Sequence, residues 1–576
     1  MSMIDAQGVV KVKAGLLRGS RENGVFVFRG VPFSQPPVGP LRFCAPRPEE
    51  AWLGVRDARC AGPASYQINF ANQQDIGAFA QKIDPGMPGV IAGPKSVFAT
   101  YAHNDVSEDC LYLDIWVPER ARLNTLPVYV YYHGGANMVS SGSFELESGA
   151  NLAREANVIV VRPNYRLGAL GWVHFGLLDS GLPEAVNLGV QDQFAALQWV
   201  HGNIAALGGN PDNITIGGES AGATAVSHLL NNPKAHPYFR RAILQSLSPY
   251  NPWCTQQREE AEFVAGKYFE LLGIQHSDEL KSIEPSKLVA AQNLLARYFD
   301  PDKHVAWRAL GAVADGDWVP QLPALGLSED SVQKSELEVI IGFAKDEWLF
   351  FRGHTETIAN GSKTDVLAVL SQVFEEEGAQ AIYKRYEELY PGETPGLLLS
   401  NIMSFEYFKL PSLAIACNLS ARGIPVYVFQ FSYDLPGLDG RLRATHTGDM
   451  PFLFHNLSER ELASWPTFEG VGSDDIRRHQ KEISRISTQI VALYASFFHG
   501  GDPGSAWPRF DEIDWNILWL GRTIEVRSGL LKPEWRVYAD KGLVALRSLE
   551  NALVGNVRKL LKDHDGGLPG DRQALI

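Results

Sequence analysis

The chain is poor in the groups that several protein classes depend on. Its 576 residues hold only five cysteines, Cys44, Cys60, Cys110, Cys254 and Cys417, too few and too scattered for a metal cluster or a disulfide framework. No apolar run approaches the length of a membrane span, so no membrane anchor is expected. Met1 to Lys13 lacks the basic, apolar and small-residue regions of a signal peptide; the expectation is a cytoplasmic protein if Met1 is the native start, and a secreted or periplasmic one if a leader has been removed. Long basic clusters are absent too. With 66 acidic against 52 basic residues the net charge is -14, which gives no footprint for nucleic acid and no pull toward an anionic membrane. The clearest like-charge run, Glu375-Glu376-Glu377, reads as a solvated helix face. Linkers rich in Pro or Ser, low-complexity tracts and solenoid repeats are missing as well. A chain of this length ordinarily suggests several domains, and its 45% apolar residues suffice to bury a large core.

What is present begins with Gly218-Glu219-Ser220-Ala221-Gly222, a G-x-S-x-G pentapeptide that follows the apolar run Ile214-Thr215-Ile216. A serine whose Oγ must stand clear at a sharp strand-to-helix turn sits in strained backbone, and only neighbours with little or no side chain let the two elements pack closely. Ala223 to Leu230 reads as the helix that the turn opens, with its first amides free to face developing negative charge. A chain with 54 glycines can match the pentapeptide by chance, so the strand before it and the helix after it give it weight. A second half of such a site lies upstream, where the apolar, aromatic run Leu126 to Tyr132 reads as a buried strand and ends in His133-Gly134-Gly135-Ala136. Adjacent glycines let backbone N–H groups turn toward a ligand. Acyl transfer needs such donors, because its tetrahedral intermediate carries an oxyanion and losing one donor costs about 2.7 to 4 kcal/mol.

At this point the sequence resembles the type-B carboxylesterase and cholinesterase family, which has the α/β-hydrolase fold. The likeness rests on Arg29-Gly30-Val31-Pro32-Phe33, Pro36-Pro37-Val38-Gly39, Leu41-Arg42-Phe43, Glu108-Asp109-Cys110-Leu111-Tyr112-Leu113-Asp114, Asn164-Tyr165-Arg166-Leu167-Gly168, Asn187-Leu188-Gly189 and Gly208-Gly209-Asn210-Pro211, in family order over roughly residues 8 to 545. It implies one α/β domain over residues 1–576, with a central mostly parallel β-sheet flanked by helices and large insertions. It also implies Ser220 as nucleophile, the amides of Gly135, Ala136 and Ala221 as oxyanion hole, Glu347 in Gly342-Phe343-Ala344-Lys345-Asp346-Glu347 as triad acid, and His446 in His446-Thr447-Gly448-Asp449-Met450-Pro451-Phe452 as triad base. The chain order Ser, Glu, His is the one α/β-hydrolases use.

These roles are chemically coherent. A serine hydroxyl is a weak nucleophile until a base takes its proton, histidine has an unperturbed pKa of about 6.5, and a carboxylate fixes the imidazole tautomer. Asp346 stands beside Glu347, so either carboxylate could be aimed at the site, and the family motif favours Glu347. The expected activity is cleavage of carboxylic esters through an acyl-enzyme, on a small-molecule ester substrate, with no cofactor or metal. The alternatives are an amidase or acyltransferase on the same site, or a non-catalytic binding module of the same fold. Nothing in the pattern specifies an oligomeric state.

The chain departs from the family pattern where substrate specificity is set: Trp348 replaces a glycine after the acid, Asn137 an aromatic residue after the oxyanion loop, and Leu247 the glycine of Gln-Ser-Gly. With Glu219 and Trp253 these are the candidate pocket residues. The resemblance further implies a Cys60–Cys110 disulfide. The interval from Ala61 to Asp109 is long and holds Tyr66, Phe70, Phe79, Met87, Phe98 and Tyr101; it reads either as a lid or binding loop or as a surface insertion packed by its own aromatics. Ile483, Ile486, Ile490, Leu493, Tyr494 and Phe497 recur at helical spacing and predict a core-facing helix.

Overall fold

Leu126–Tyr132 is buried at each of its seven positions, as a strand covered on both faces must be, and its β-branched and aromatic side chains suit that setting. The computed structural model describes residues 4–67, 105–247, 255–295, 310–320 and 337–539, apart from positions 123, 354, 469 and 512. Trp253, Cys254 and residues 68–104 of the long interval lie outside the described residues.

Among the described residues the main sheet has eleven strands: β1 (Ser20–Glu22), β2 (Val25–Pro32), β3 (Tyr112–Pro118), β4 (Leu126–Tyr132), β5 (Ile159–Pro163), β6 (Gly209–Glu219), β7 (Arg241–Gln245), β8 (Glu338–Ala344), β9 (Val426–Phe431), β10 (Asn516–Leu520) and β11 (Ile524–Ser528). Their order in space is β1-β2-β3-β5-β4-β6-β7-β8-β9-β10-β11. Neighbours from β5 to β10 pair in parallel, and the strands at both margins pair antiparallel. Parallel neighbours need crossovers, which lay helices on both faces of the sheet.

The two-residue period of β4 shows how the faces are filled. Tyr129 and Tyr131 join one buried cluster with Ile483, Ile486, Ile490, Tyr494 and Phe497 of the helix Ser473–Gly500, the predicted core-facing helix, with Leu493 partly buried at its edge. Val128, Val130 and Tyr132 point the other way, into a cluster with Leu197 and Val200 of Leu188–Asn203 and Ala225, Val226 and Leu229 of Ala221–Asn231. Each such buried side chain contributes about 1.5–3 kcal/mol by leaving water. On the helix Lys363–Leu389, Glu376 and Glu377 are exposed, as expected of a solvated face.

One expectation fails. Cys60 and Cys110 are both free thiols, Cys60 exposed and Cys110 buried, and the hydroxyl of Ser65 is the group that bonds the Cys110 thiol. A disulfide requires the two Cβ atoms within about 4.5 Å, and the place beside Cys110 is taken by a serine. Burial pushes the Cys110 thiol up to about 12.

Candidate active site

The strand β6 ends at Glu219 and a helix starts at Ala221, with Ser220 between them at φ 56° and ψ −124°. A left-handed φ costs a non-glycine residue on the order of 1–3 kcal/mol and persists only under restraint. Part of the restraint is the Ser220 N–H, which donates to Gln245 O on β7 at 3.0 Å. The rest is close packing: a Cβ on Gly222 would collide with the Tyr132 carbonyl at the end of β4, and one on Gly218 with the backbone of Gly222. The two glycines of the pentapeptide are therefore sterically required, as the sequence pattern implies.

His446 lies between β9 and the short helix Met450–Phe454. Its Nδ1–H donates to Glu347 Oε2 at 2.6 Å. Glu347 follows β8, and its other oxygen accepts the Ala344 N–H at 2.6 Å, so both carboxylate oxygens are held. Asp346 is buried but turned elsewhere, with Oδ2 3.5 Å from Lys345 Nζ, and burial raises its pKa. The carboxylate that meets the imidazole is Glu347.

The far side of the imidazole is also acidic. His446 Nε2 lies 3.2 Å from Glu219 Oε1, on the residue next to Ser220. Burial opposes imidazolium formation, but the Glu219 and Glu347 carboxylates outweigh it and raise the His446 pKa to about 9. Burial likewise raises Glu219 well above the usual carboxylate range, against the pull of His446. Asp449, buried and held by the Gln245 Nε2–H at 2.7 Å, is raised to about 6 by burial.

The Gly134-Gly135-Ala136 loop runs alongside. A Cβ on Gly134 would lie 3.0 Å from Glu219 Oε2 and 3.3 Å from Ser220 Cβ, which puts the loop against the turn. Gly135, Ala136, Asn137 and Ser140 have φ of 99°, 53°, 59° and 85°. The His133 ring stacks on Tyr165 at 4.4 Å, and its Nδ1–H donates to Gly134 O at 2.7 Å. Because a trans peptide sets C=O and N–H in opposite directions, this bond turns the Gly135 N–H away from His133. The Ala221 N–H is the first of its helix and has no intrahelical partner.

The candidate pocket residues divide. Glu219 is in the site. Asn137 is buried and braces the loop, its Nδ2 donating to Leu310 O at 2.9 Å. Leu247 is buried in the core. Trp348 is buried and stacks on Tyr407 at 5.1 Å. The rings that face His446 are Phe350, Phe351 and Phe408, with centroids 5.4, 5.2 and 5.0 Å away, and sequence reasoning did not single them out. The only signal for the first two is their closeness to Glu347; Phe408 sits on a π-helical turn, Phe405–Lys409, that has no local signature. Among the described residues no group of three or more His, Cys, Asp or Glu is placed to hold a metal, and no helix is long and apolar enough to cross a membrane.

The chain is similar to known proteins over nearly all of its length. Residues 6–537 match the Carboxylesterase family. The chain is 30% identical to a phenmedipham hydrolase of Pseudarthrobacter oxydans, over 91% of this chain and 98% of that protein. It is 28% identical to a para-nitrobenzyl esterase of Bacillus subtilis, over 90% and 96%. The crystal structure of a Geobacillus stearothermophilus carboxylesterase superposes with a TM-score of 0.75 at 30% identity, covering 92% of this chain and 99% of that one.

Proposed function

Because the chain belongs to the carboxylesterase family and is a carboxylic ester hydrolase, we propose that it works through an acyl-enzyme formed on Ser220. Ser220 Oγ attacks the ester carbonyl carbon as His446 Nε2 takes the hydroxyl proton. The carbonyl oxygen becomes an oxyanion that accepts hydrogen bonds from the N–H groups of Gly135, Ala136 and Ala221. The tetrahedral intermediate then collapses, the C–O bond to the alcohol breaks, and His446 returns its proton to the departing oxygen. Water repeats the sequence on the acyl-enzyme and releases the acid. Glu347 keeps Nδ1 protonated, so that Nε2 presents its lone pair, and stabilises the imidazolium formed during attack.

The observation that carries the reading is the 2.6 Å bond from His446 Nδ1 to Glu347, with Nε2 facing the residue next to a strained serine. The three phenylalanine rings around His446 suit an uncharged, apolar acyl or alkyl group, and a relative named for para-nitrobenzyl esters makes an aryl or benzyl ester the first substrate to try. The test pairs Ser220→Ala kinetics with labelling by a fluorophosphonate. The substitution should lower kcat by about 10⁵-fold or more and abolish the mass increment on the Ser220 peptide. A folded Ser220→Ala variant that keeps more than about one hundredth of kcat refutes the mechanism.

A further inference from the structure

The loop that carries the proposed oxyanion donors is held at its far end by Gln67. This side chain is only 5% exposed, and it grips one residue from both sides: its Nε2 donates to Ser140 O at 3.1 Å, and its Oε1 accepts the Ser140 N–H at 3.0 Å. A third bond, from Nε2 to Ser65 O at 3.1 Å, ties the amide to its own segment. That segment is anchored independently, since the Leu167 N–H donates to Ser65 Oγ at 2.9 Å and Asn164 Nδ2 donates to Pro63 O at 3.1 Å.

Ser140 needs such a grip. Its φ is 85°, and three of the five residues before it are also left-handed, a conformation that relaxes unless the surroundings fix it. His133 and Asn137 restrain the front of the loop. Between front and back, the N–H groups of Met138 and Val139 close a turn on Gly135 O at 2.9 and 3.1 Å, so a shift at Ser140 is passed through Val139 to the Gly135 carbonyl. The Ser140 hydroxyl makes no hydrogen bond among the described residues; the restraint acts through its backbone.

We infer that Gln67 is a positioning residue for ester hydrolysis, whose amide clamps the Ser140 backbone and thereby keeps the N–H groups of Gly135 and Ala136 aimed at the substrate carbonyl. The inference rests on the oxyanion assignment made above. Gln67 touches no reacting atom; its effect falls on the transition state, where the oxyanion exists, and not on the ground-state complex.

The test compares the wild-type enzyme with Gln67→Met, which keeps the length of the side chain and removes all three bonds. Two readouts are taken: kcat and KM for a p-nitrophenyl ester, and the affinity of an aryl trifluoromethyl ketone, whose serine adduct carries an oxyanion. The variant should lose about 10- to 100-fold in kcat, less than the loss of a whole donor, with KM within about twofold, and ketone affinity should fall by the same factor as kcat/KM. A folded variant that keeps both kcat and ketone affinity, or loses kcat without losing ketone affinity, overturns the proposal. If Gln67→Met does not fold, Gln67→Glu retains size and the acceptor for the Ser140 N–H; wild-type kcat and ketone affinity in that variant also overturn it. If the wild-type enzyme binds the trifluoromethyl ketone no tighter than the matching methyl ketone, the oxyanion assignment fails, and this inference fails with it.

Discussion

Replacing Glu219 by glutamine removes the carboxylate that faces His446 Nε2 while keeping shape and hydrogen-bonding capacity. The separation is 3.2 Å, at which two unit charges interact by about 5 kcal/mol for an effective dielectric of about 20. That equals about 3 to 4 pH units at the limit of full ionisation of Glu219. Burial acts in the opposite sense, and Glu219 is itself raised by burial, so the net position of His446 is about 9 against an ordinary 6.5. In the proposed mechanism only neutral His446 accepts the serine proton, so kcat/KM should climb with pH through a midpoint above the ordinary histidine range, and Glu219→Gln should lower that midpoint by at least about one unit. The assay is kcat/KM for a p-nitrophenyl ester from about pH 5 to about pH 10, read at a wavelength where p-nitrophenol and its anion absorb equally. A midpoint that stays put or rises in Glu219→Gln refutes the electrostatic argument. Folding stability gives a second handle: the raised His446 pKa contributes stability that is complete below pH 6.5 and lost as pH rises through about 9.

Glu347→Gln should cost about 10³- to 10⁴-fold in kcat by breaking the tautomer lock, while Asp346→Asn, which removes a carboxylate that does not meet His446, should cost under about tenfold; steady-state kinetics on the two variants decide, and equal losses would reassign the acid. Ser65→Cys should oxidise with Cys110 and close a loop of about 45 residues, worth up to about 4 kcal/mol, offset in part by the lost bond from the Leu167 N–H; an unchanged thiol count after oxidation refutes it. His174 is buried, donates from Nε2 to Gly311 O and accepts the Asn187 N–H at Nδ1, and burial lowers its pKa to about 4. Because the unfolded chain takes a proton at about 6.5 and the folded one resists until about 4, this residue's contribution is present above about 6.5 and lost as pH falls, up to about 3 kcal/mol. Urea midpoints at neutral and acid pH should therefore converge in His174→Gln, and the prediction fails if the acid loss is unchanged.

The local elements were legible in the sequence because they answer to short-range rules. A short apolar run rich in β-branched and aromatic residues, such as Leu126 to Tyr132, suits a strand covered on both faces, and it appears there with the predicted ends. The apolar spacing from Ile483 to Phe497 puts one stripe on one helix face, and the glycines around Ser220 mark a turn that no larger residue fits. Tertiary structure decided whatever depends on where distant segments meet. Asp346 and Glu347 are adjacent carboxylates that only the family motif separates in the sequence; the direction in which the chain leaves β8 delivers Glu347 to His446, 99 residues away. Phe408 reaches the imidazole through a π-helical turn, and Gln67 reaches Ser140 across 73 residues. Five positions separate Cys60 from Ser65, yet it is Ser65 that faces Cys110, because Ala64 and Ser65 pair with Val106 and Ser107 in a small parallel ladder. Periodicity encodes which face of an element is buried, whereas partners across the fold follow from register and crossover, which no local pattern carries.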